Sequence, residues 1–179
     1  LIEIDRSAFS WCDSLKNIKI PEEVMYIGGS PFRGCSSLEN IDVQDGNKNY
    51  MSENGVLFNK ERTEIICYPM GKKNIKEYLI PEGVTSIREY ASFGCSDLES
   101  INIPKGITSI GESAFWGCSS LKSINIPKEV TSIEWQAFRG CSGLESINIP
   151  EGVTSIGNYA FYECSSLESI NIPEGVTSI

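Results

Sequence analysis

The sequence predicts a solenoid, in which short coils of chain stack in one direction with parallel strands along one side. Three observations carry this. A 23-residue pattern, L-x-x-I-x-I-P-x-x-V-x-x-I-x-x-x-A-F-x-x-C-x-x, recurs through most of the 179 residues. Within each unit the I-x-I stretch alternates apolar with polar residues, the period of a strand with one buried face. A proline closes that stretch in most units, and a residue without an N–H ends a hydrogen-bonded ladder.

Complete units of 23 residues occupy 15–37, 75–97, 98–120, 121–143 and 144–166, and residues 38–74 form an enlarged unit of 37. Residues 1–14 are the back part of one unit and residues 167–179 the front part of another. Both ends therefore fall mid-repeat without a polar cap. The expectation is one repeat domain over residues 1–179, cut from a longer array.

Each element follows from the pattern. In residues 98–104, Ile101 and Ile103 alternate with Ser100 and Asn102, which defines a strand stopped by Pro104. Val or Ile then recurs with Ile three residues on (Ile107 and Ile110, Val130 and Ile133, Val153 and Ile156), predicting a second short extended segment or a turn on another side. The next stretch, with Ala114, Phe115 and Cys118, spaces apolar residues as a helix does and is read as a short helix or 3-10 turn. One coil cannot stand alone, because ordering its backbone costs more than its few apolar side chains return. Stacking at about 4.8 Å per coil closes both faces of each apolar layer.

In the enlarged unit, Asn54-Gly55 is a turn signal. Val56-Leu57-Phe58 and the run from Glu64 to Tyr68 read as a β-hairpin projecting from the rod, followed by a basic return loop with Lys72 and Lys73.

Written out, the units L-E-S-I-N-I-P-E-G-V-T-S-I-G-x-x-A-F-x-x-C-S-S resemble the BspA-like (treponemal-type) leucine-rich repeat over nearly the whole chain. The segment Asn47-Lys48-Asn49-Tyr50-Met51-Ser52-Glu53-Asn54-Gly55-Val56-Leu57-Phe58 resembles a known elaboration of that family. The resemblance implies a leucine-rich-repeat solenoid: a right-handed β-α superhelix with one concave parallel sheet, short helical or 3-10 turns on the convex side, and one inserted β-hairpin. It also implies a cell-surface or secreted protein, often bacterial and host-associated, with adhesion or host-protein binding as the usual role. The family brings no catalytic residues. The unit starting at Ile75 departs from the pattern: Ile75 and Tyr78 replace Leu and Ile, and Ala91-Ser92-Phe93 sets its ring one position late.

Composition narrows the function classes. A net charge of −9 argues against nucleic acid and anionic lipid, both of which demand clustered Lys and Arg. The absence of histidine removes the commonest general base, metal ligand and nucleophile partner. No apolar run approaches the roughly 18 residues of a membrane helix, and no signal peptide is visible. Phosphate loops and zinc spacings are lacking, so neither a cofactor nor a metal is expected. The carboxylate pairs Glu22 and Glu23, Asp42 and Asp45, Glu61 and Glu64 read as solvated turn charges, and an enzyme is not expected.

Candidate site residues fall in three groups. Cys12, Cys35, Cys95, Cys118, Cys141 and Cys164 occupy one repeat slot and read as a ladder of free, buried thiols. Disulfides between neighbouring coils or soft-metal binding are the alternative, opposed by parallel side-chain directions and the lack of C-x-x-C. The outward strand face carries rows of Ser and Asn in the later units. Asn17 and Lys19, then Asn40 and Asp42, stand at those positions in the first units, where any specificity of this face is expected. The third group is aromatic. Trp116, Arg139 and Tyr162 follow the recurrent Phe at 23-residue spacing, with Ser10 and Arg33 in the same slot, while Tyr90, Trp135 and Tyr159 precede it. These are hot-spot residue types, and Arg139 is placed to form a cation–π pair. The rings either bind a partner or merely shield the surface. The resulting expectation is a recognition module for a protein or glycan of a host or neighbouring cell; the alternative is a passive spacer that displays another domain.

Overall fold

The computed structural model describes residues 2–179; Leu1, with which the partial first unit opens, lies outside them. In chain order the strands are β1 (Glu3–Ile4), β2 (Asn17–Ile20), β3 (Tyr26–Ile27), β4 (Asn40–Val43), β5 (Tyr50–Glu53), β6 (Val56–Asn59), β7 (Glu64–Cys67) and β8 (Glu77–Leu79). They continue as β9 (Ser86–Ile87), β10 (Ser100–Asn102), β11 (Ser109–Ile110), β12 (Ser123–Asn125), β13 (Ser132–Ile133), β14 (Ser146–Asn148) and β15 (Ser155–Ile156).

Each coil has a main side, a second side and a turn edge. The I-x-I stretches form the main side, and the sequence repeat sets their register: Ser100 lies opposite Ser123 and Ser123 opposite Ser146, with Ile101, Ile124 and Ile147 beside them. The second side pairs β1 with β3, β7 with β9, β9 with β11, and β13 with β15, all parallel. Threonines tie it further. Thr108 Oγ1 donates to the Thr85 carbonyl and Thr154 Oγ1 to that of Thr131, each at 3.3 Å.

The β-α superhelix is not what forms. Among the described residues there is no helix, and the architecture is a β-solenoid. The reason lies in the backbone donors of the Ala-Phe-x-x-Cys stretch. The N–H groups of Ala114, Trp116 and Cys118 donate three residues back, to Gly111, Ser113 and Phe115. Those of Ser113, Phe115 and Gly117 instead cross to the Trp135, Ala137 and Arg139 carbonyls of the next coil. A helix needs every donor inside its own segment, and half of these are committed between coils. Ser113 (φ 53°) and Gly117 (φ 76°) also turn left-handed, which interrupts any right-handed run. Consecutive turns thus give apolar residues the spacing of a helix.

The single main sheet is also not continuous. β2 and β4 pair with each other, β8, β10, β12 and β14 form a separate four-stranded sheet, and the ladder is broken between β4 and β8. The cause is the enlarged unit. Its chain turns at Asn54 (φ 51°) and Gly55 (φ 76°), pairing β5 with β6 antiparallel, and β6 pairs antiparallel with β7. β7 then continues the second side beside β9. The Ile41 N–H donates to the Gly55 carbonyl (3.1 Å), so the hairpin turn covers the edge of β4 that β8 would otherwise meet.

This hairpin does not project. Val56, Leu57 and Phe58 are all buried, and their side chains alternate between two cores. Leu57, Ile66 and Cys67 pack with Ile20, Val24 and Ile41 of the earlier coils. Val56, Phe58 and Ile65 pack with Val84, Ile87 and the later coils. The hairpin is a septum with two apolar faces. Asn47 fixes its entry: fully buried, it donates to the Pro21 and Val24 carbonyls (2.9 and 3.1 Å) and accepts from the Asn49 and Tyr50 N–H groups (2.9 and 2.8 Å).

Inside the turn edge, phenylalanines stack between coils. Centroids are 5.6 Å apart for Phe9 and Phe32, 5.5 Å for Phe115 and Phe138, and 5.7 Å for Phe138 and Phe161. Buried Ser92 interrupts the column, and Tyr68 from the septum is part of the core there.

Candidate functional site

The ring displaced by the Ser92–Phe93 order joins an outer row of aromatic and guanidinium groups along the turn edge. Arg33 Cζ lies 4.5 Å from the Tyr90 ring centroid, 5.2 Å from those of Phe93 and Trp116, and 5.7 Å from that of Trp11. Arg139 Cζ lies 4.6 Å from Trp116 and 5.0 Å from Tyr162. Phe93 meets Trp116 edge-on at 5.3 Å, and Tyr162 meets Tyr159 edge-on at 5.8 Å. The row therefore alternates guanidinium and ring over most of the described length. Each such cation–π contact is worth roughly 0.5–2 kcal/mol.

Local backbone geometry makes the row possible. Gly34, next to Arg33, sits at φ 73°, and a Cβ there would run into the Trp11 ring. Both arginine Nε–H groups are buried without an acceptor, although the Arg139 guanidinium approaches Glu163 at 3.8 Å. Both guanidinium groups lie over aromatic rings, and Glu163 is the carboxylate beside Arg139.

The structure brings Trp116, Arg139, Tyr162 and Tyr159 together and leaves Trp135 apart, exposed and outside the row. Asn17, Lys19 and Asp42 are exposed on the main side, a different surface, where Asn17 lies opposite Asn40 and Lys19 opposite Asp42. Arg33, Phe93 and Trp11 are members of the row that sequence reasoning did not assemble. Arg33 shares the slot of Trp116 and Arg139, which was a usable signal. Its meeting with Tyr90 and Phe93 was not visible, because it needs the buried residues 65–69 of the enlarged unit to let the flanking coils reach across. Arg88 makes the same crossing, donating to the Ile27 carbonyl at 3.2 Å while pairing with Glu64.

The cysteines face inward from the same edge. Cys118, Cys141 and Cys164 donate to the Ser92, Phe115 and Phe138 carbonyls of the preceding coil at 3.2, 3.1 and 3.1 Å, and Cys35 to that of Phe9 at 2.9 Å. Cys12 is exposed and stands outside this ladder. Burial pushes the Cys67 thiol up to about 12 and the Cys164 thiol up to about 11. Cys95, Cys118 and Cys141 are raised for the same reason. These groups are thiols, not thiolates, at neutral pH. Among the described residues no cluster of Cys, Asp and Glu is arranged to hold a metal ion.

On the main side, Lys76 and Lys122 flank Glu99 at 3.0 and 2.9 Å. Hydrogen bonds from Lys122 and then Lys76 hold the Glu99 carboxyl below the usual carboxylate range.

Stacked coils with self-paired interiors, a polar strand face and an arginine–aromatic edge define a repeat scaffold whose chemistry lies on its outside. The chain belongs to the BspA type leucine rich repeat region family, whose pattern matches in six copies over residues 1–78 and 63–179. It is similar to the pneumococcal vaccine antigen PcpA, with 26% identity over 99% of this chain and 54% of that one and a TM-score of 0.81. It is also similar to a leucine rich cell surface protein of Faecalibacterium prausnitzii (32% identity, 94% of this chain, 50% of that one, TM-score 0.76). A third similar structure is a T. pallidum leucine rich repeat protein (27% identity, 94% of this chain, 72% of that one, TM-score 0.59). The chain spans about half the length of the first two. No curated protein matches it.

Proposed function

We propose that this chain is a protein-recognition module of a cell-surface or secreted protein, and that the arginine–aromatic row is its contact surface. The observation that carries the reading is the setting of Arg33 and Arg139 among rings along one edge. Trp, Tyr and Arg supply most binding hot spots. Trp116 has a guanidinium on it from each direction along the rod, so its faces are not free for a sugar ring. The row offers guanidinium edges and ring rims, which suit the carboxylates and apolar side chains of a protein of a host or neighbouring cell. Similarity to a cell surface protein and to a vaccine antigen supports the surface location. Asn17, Lys19 and Asp42 are the second candidate surface.

The test is a binding screen of the purified chain against extracellular proteins and glycans. The expected result is a protein ligand whose affinity falls about 30-fold or more in the Arg33→Ala, Arg139→Ala double variant and changes little in Asn17→Ala, Asp42→Ala. No binding at tens of micromolar, or binding indifferent to the row, contradicts the reading. The uniform register from Ser100 to Asn148 favours a second reading, a passive spacer. In that case, replacing one of these coils by a copy of its neighbour leaves partner binding by the whole protein unchanged.

A further inference from the structure

The break in the main sheet leaves one strand edge open in the middle of the rod. β8 pairs with β10 alone, and the direction of its groups is fixed by two bonds. The Ser100 N–H donates to the Lys76 carbonyl (3.0 Å) and the Ile80 N–H to the Asn102 carbonyl (3.2 Å). Even-numbered residues of β8 thus face β10. In a parallel ladder alternate residues bond to opposite sides, so the N–H and C=O groups of Glu77 and Leu79 face the other way, and no protein group pairs with them. No Cα of β8 comes within 8 Å of one in β4, β5 or β6, farther than the about 4.8 Å of a paired neighbour.

Two adjoining clefts of about 230 Å³ each occupy that gap, both lined by Asn54, Tyr78 and Leu79. Their other groups are short of partners. Tyr78 Oη is buried without a hydrogen bond, and so is Arg62 Nε, although the Arg62 guanidinium pairs with Glu53. Lys72 is half-buried, and no carboxylate lies within 4 Å of it. Leu79 and Ile75 keep 60% and 42% of their surface exposed on the rim.

We infer that this opening is a second binding site, which takes an extended peptide segment of a partner protein by strand addition to β8. Backbone groups spaced along a strand edge are matched by another extended backbone, which is how β-augmentation gains affinity. The unpaired Lys72 selects a segment with an acidic residue at one end, and Leu79 with Ile75 receives an apolar side chain. This site is separate from the arginine–aromatic row and stands or falls without it.

The probe is a blocked heptapeptide of alternating valine and threonine carrying one terminal aspartate, titrated into the ¹⁵N-labelled chain. The Glu77 and Leu79 amides are expected to shift and gain protection from exchange, while Tyr78, already facing β10, changes little. The same peptide with backbone N-methyl groups on its bonding edge, or with lysine for aspartate, binds roughly five- to ten-fold more weakly, the loss of one or two hydrogen bonds or a charge contact. Leu79→Pro removes a donor that the fold does not use and abolishes the response. Should that variant not fold, Lys72→Glu provides the second check by reversing the preference between the aspartate and lysine peptides. Unmoved Glu77 and Leu79 amides at millimolar peptide overturn the inference. Protection that appears without peptide as the chain is concentrated also overturns it, because the edge is then a contact between two copies.

Discussion

From Ser100 to Asn148 each coil repeats its neighbour; between Asn40 and Asn74 none does, and the coil of residues 75–97 keeps the 23-residue register while setting its ring one position late. In the uniform region one layer is one unit of sequence, and each strand, turn and phenylalanine has the same partner 23 residues away. In the irregular region a hairpin fills two cores at once, the main sheet is cut, and the coils on either side meet over buried residues 65–69. Iteration supplies stability by nearest-neighbour stacking. Individuality comes from the one unit that breaks it, which creates the Arg33 cluster and the open β8 edge.

The largest effect is expected at Phe58. Phe58→Ala should cost about 4 kcal/mol, measured by urea unfolding. Phe138→Ala should cost a similar amount directly, but only the Phe58 variant should loosen coils on both sides, because it weakens the strand that carries Leu57 into the earlier core. Next comes Asn47→Ala, which leaves the Pro21 and Val24 carbonyls and the Asn49 and Tyr50 N–H groups unmatched. A loss of about 3 kcal/mol is expected, in line with the cost of several unsatisfied buried groups. A loss under about 1 kcal/mol would show that the septum needs no such pin. Ser92→Phe restores the uniform pattern inside the irregular region. It should destabilise by about 2 kcal/mol through overpacking, because Tyr68 already shares that core; a gain in stability would show that the column has room there.

The smallest effect at neutral pH is the thiol contribution. The buried Cys67 thiol and the half-buried Cys164 thiol have folded values raised above their ordinary 9.0, to about 12 and about 11. The folded state keeps their protons where the unfolded chain loses them. This stability is fully present below pH 9 and is lost as pH rises from there through 11 to 12. Urea midpoints should be level from pH 7 to 8 and fall at about pH 10, while a thiol reagent at pH 8 labels exposed Cys12 fast and the buried thiols only on unfolding.

The strands were legible because alternation has one structural meaning and proline marks its end. Ile101-Asn102-Ile103-Pro104 reads unambiguously. The turn edge was not, because successive turns and a helix place Ala114, Phe115 and Cys118 alike; donors shared between coils leave no trace in one unit. Asn54-Gly55 marks the hairpin but not its setting, which is carried by three consecutive apolar residues, Val56, Leu57 and Phe58, the pattern of a strand buried on both faces. Of the candidate residues, the 23-residue spacing brought out Trp116, Arg139 and Tyr162 as neighbours. Nothing local to Arg33 tells that it meets Tyr90 and Phe93.

Native-state hydrogen exchange of Phe58→Ala beside Phe138→Ala tests the two-core septum most directly. The account predicts that Phe58→Ala speeds exchange in β2 and β4 as well as in β8 and β10, while Phe138→Ala affects only the coils touching it. Faster exchange confined to β5, β6 and β7 in the Phe58 variant would contradict it.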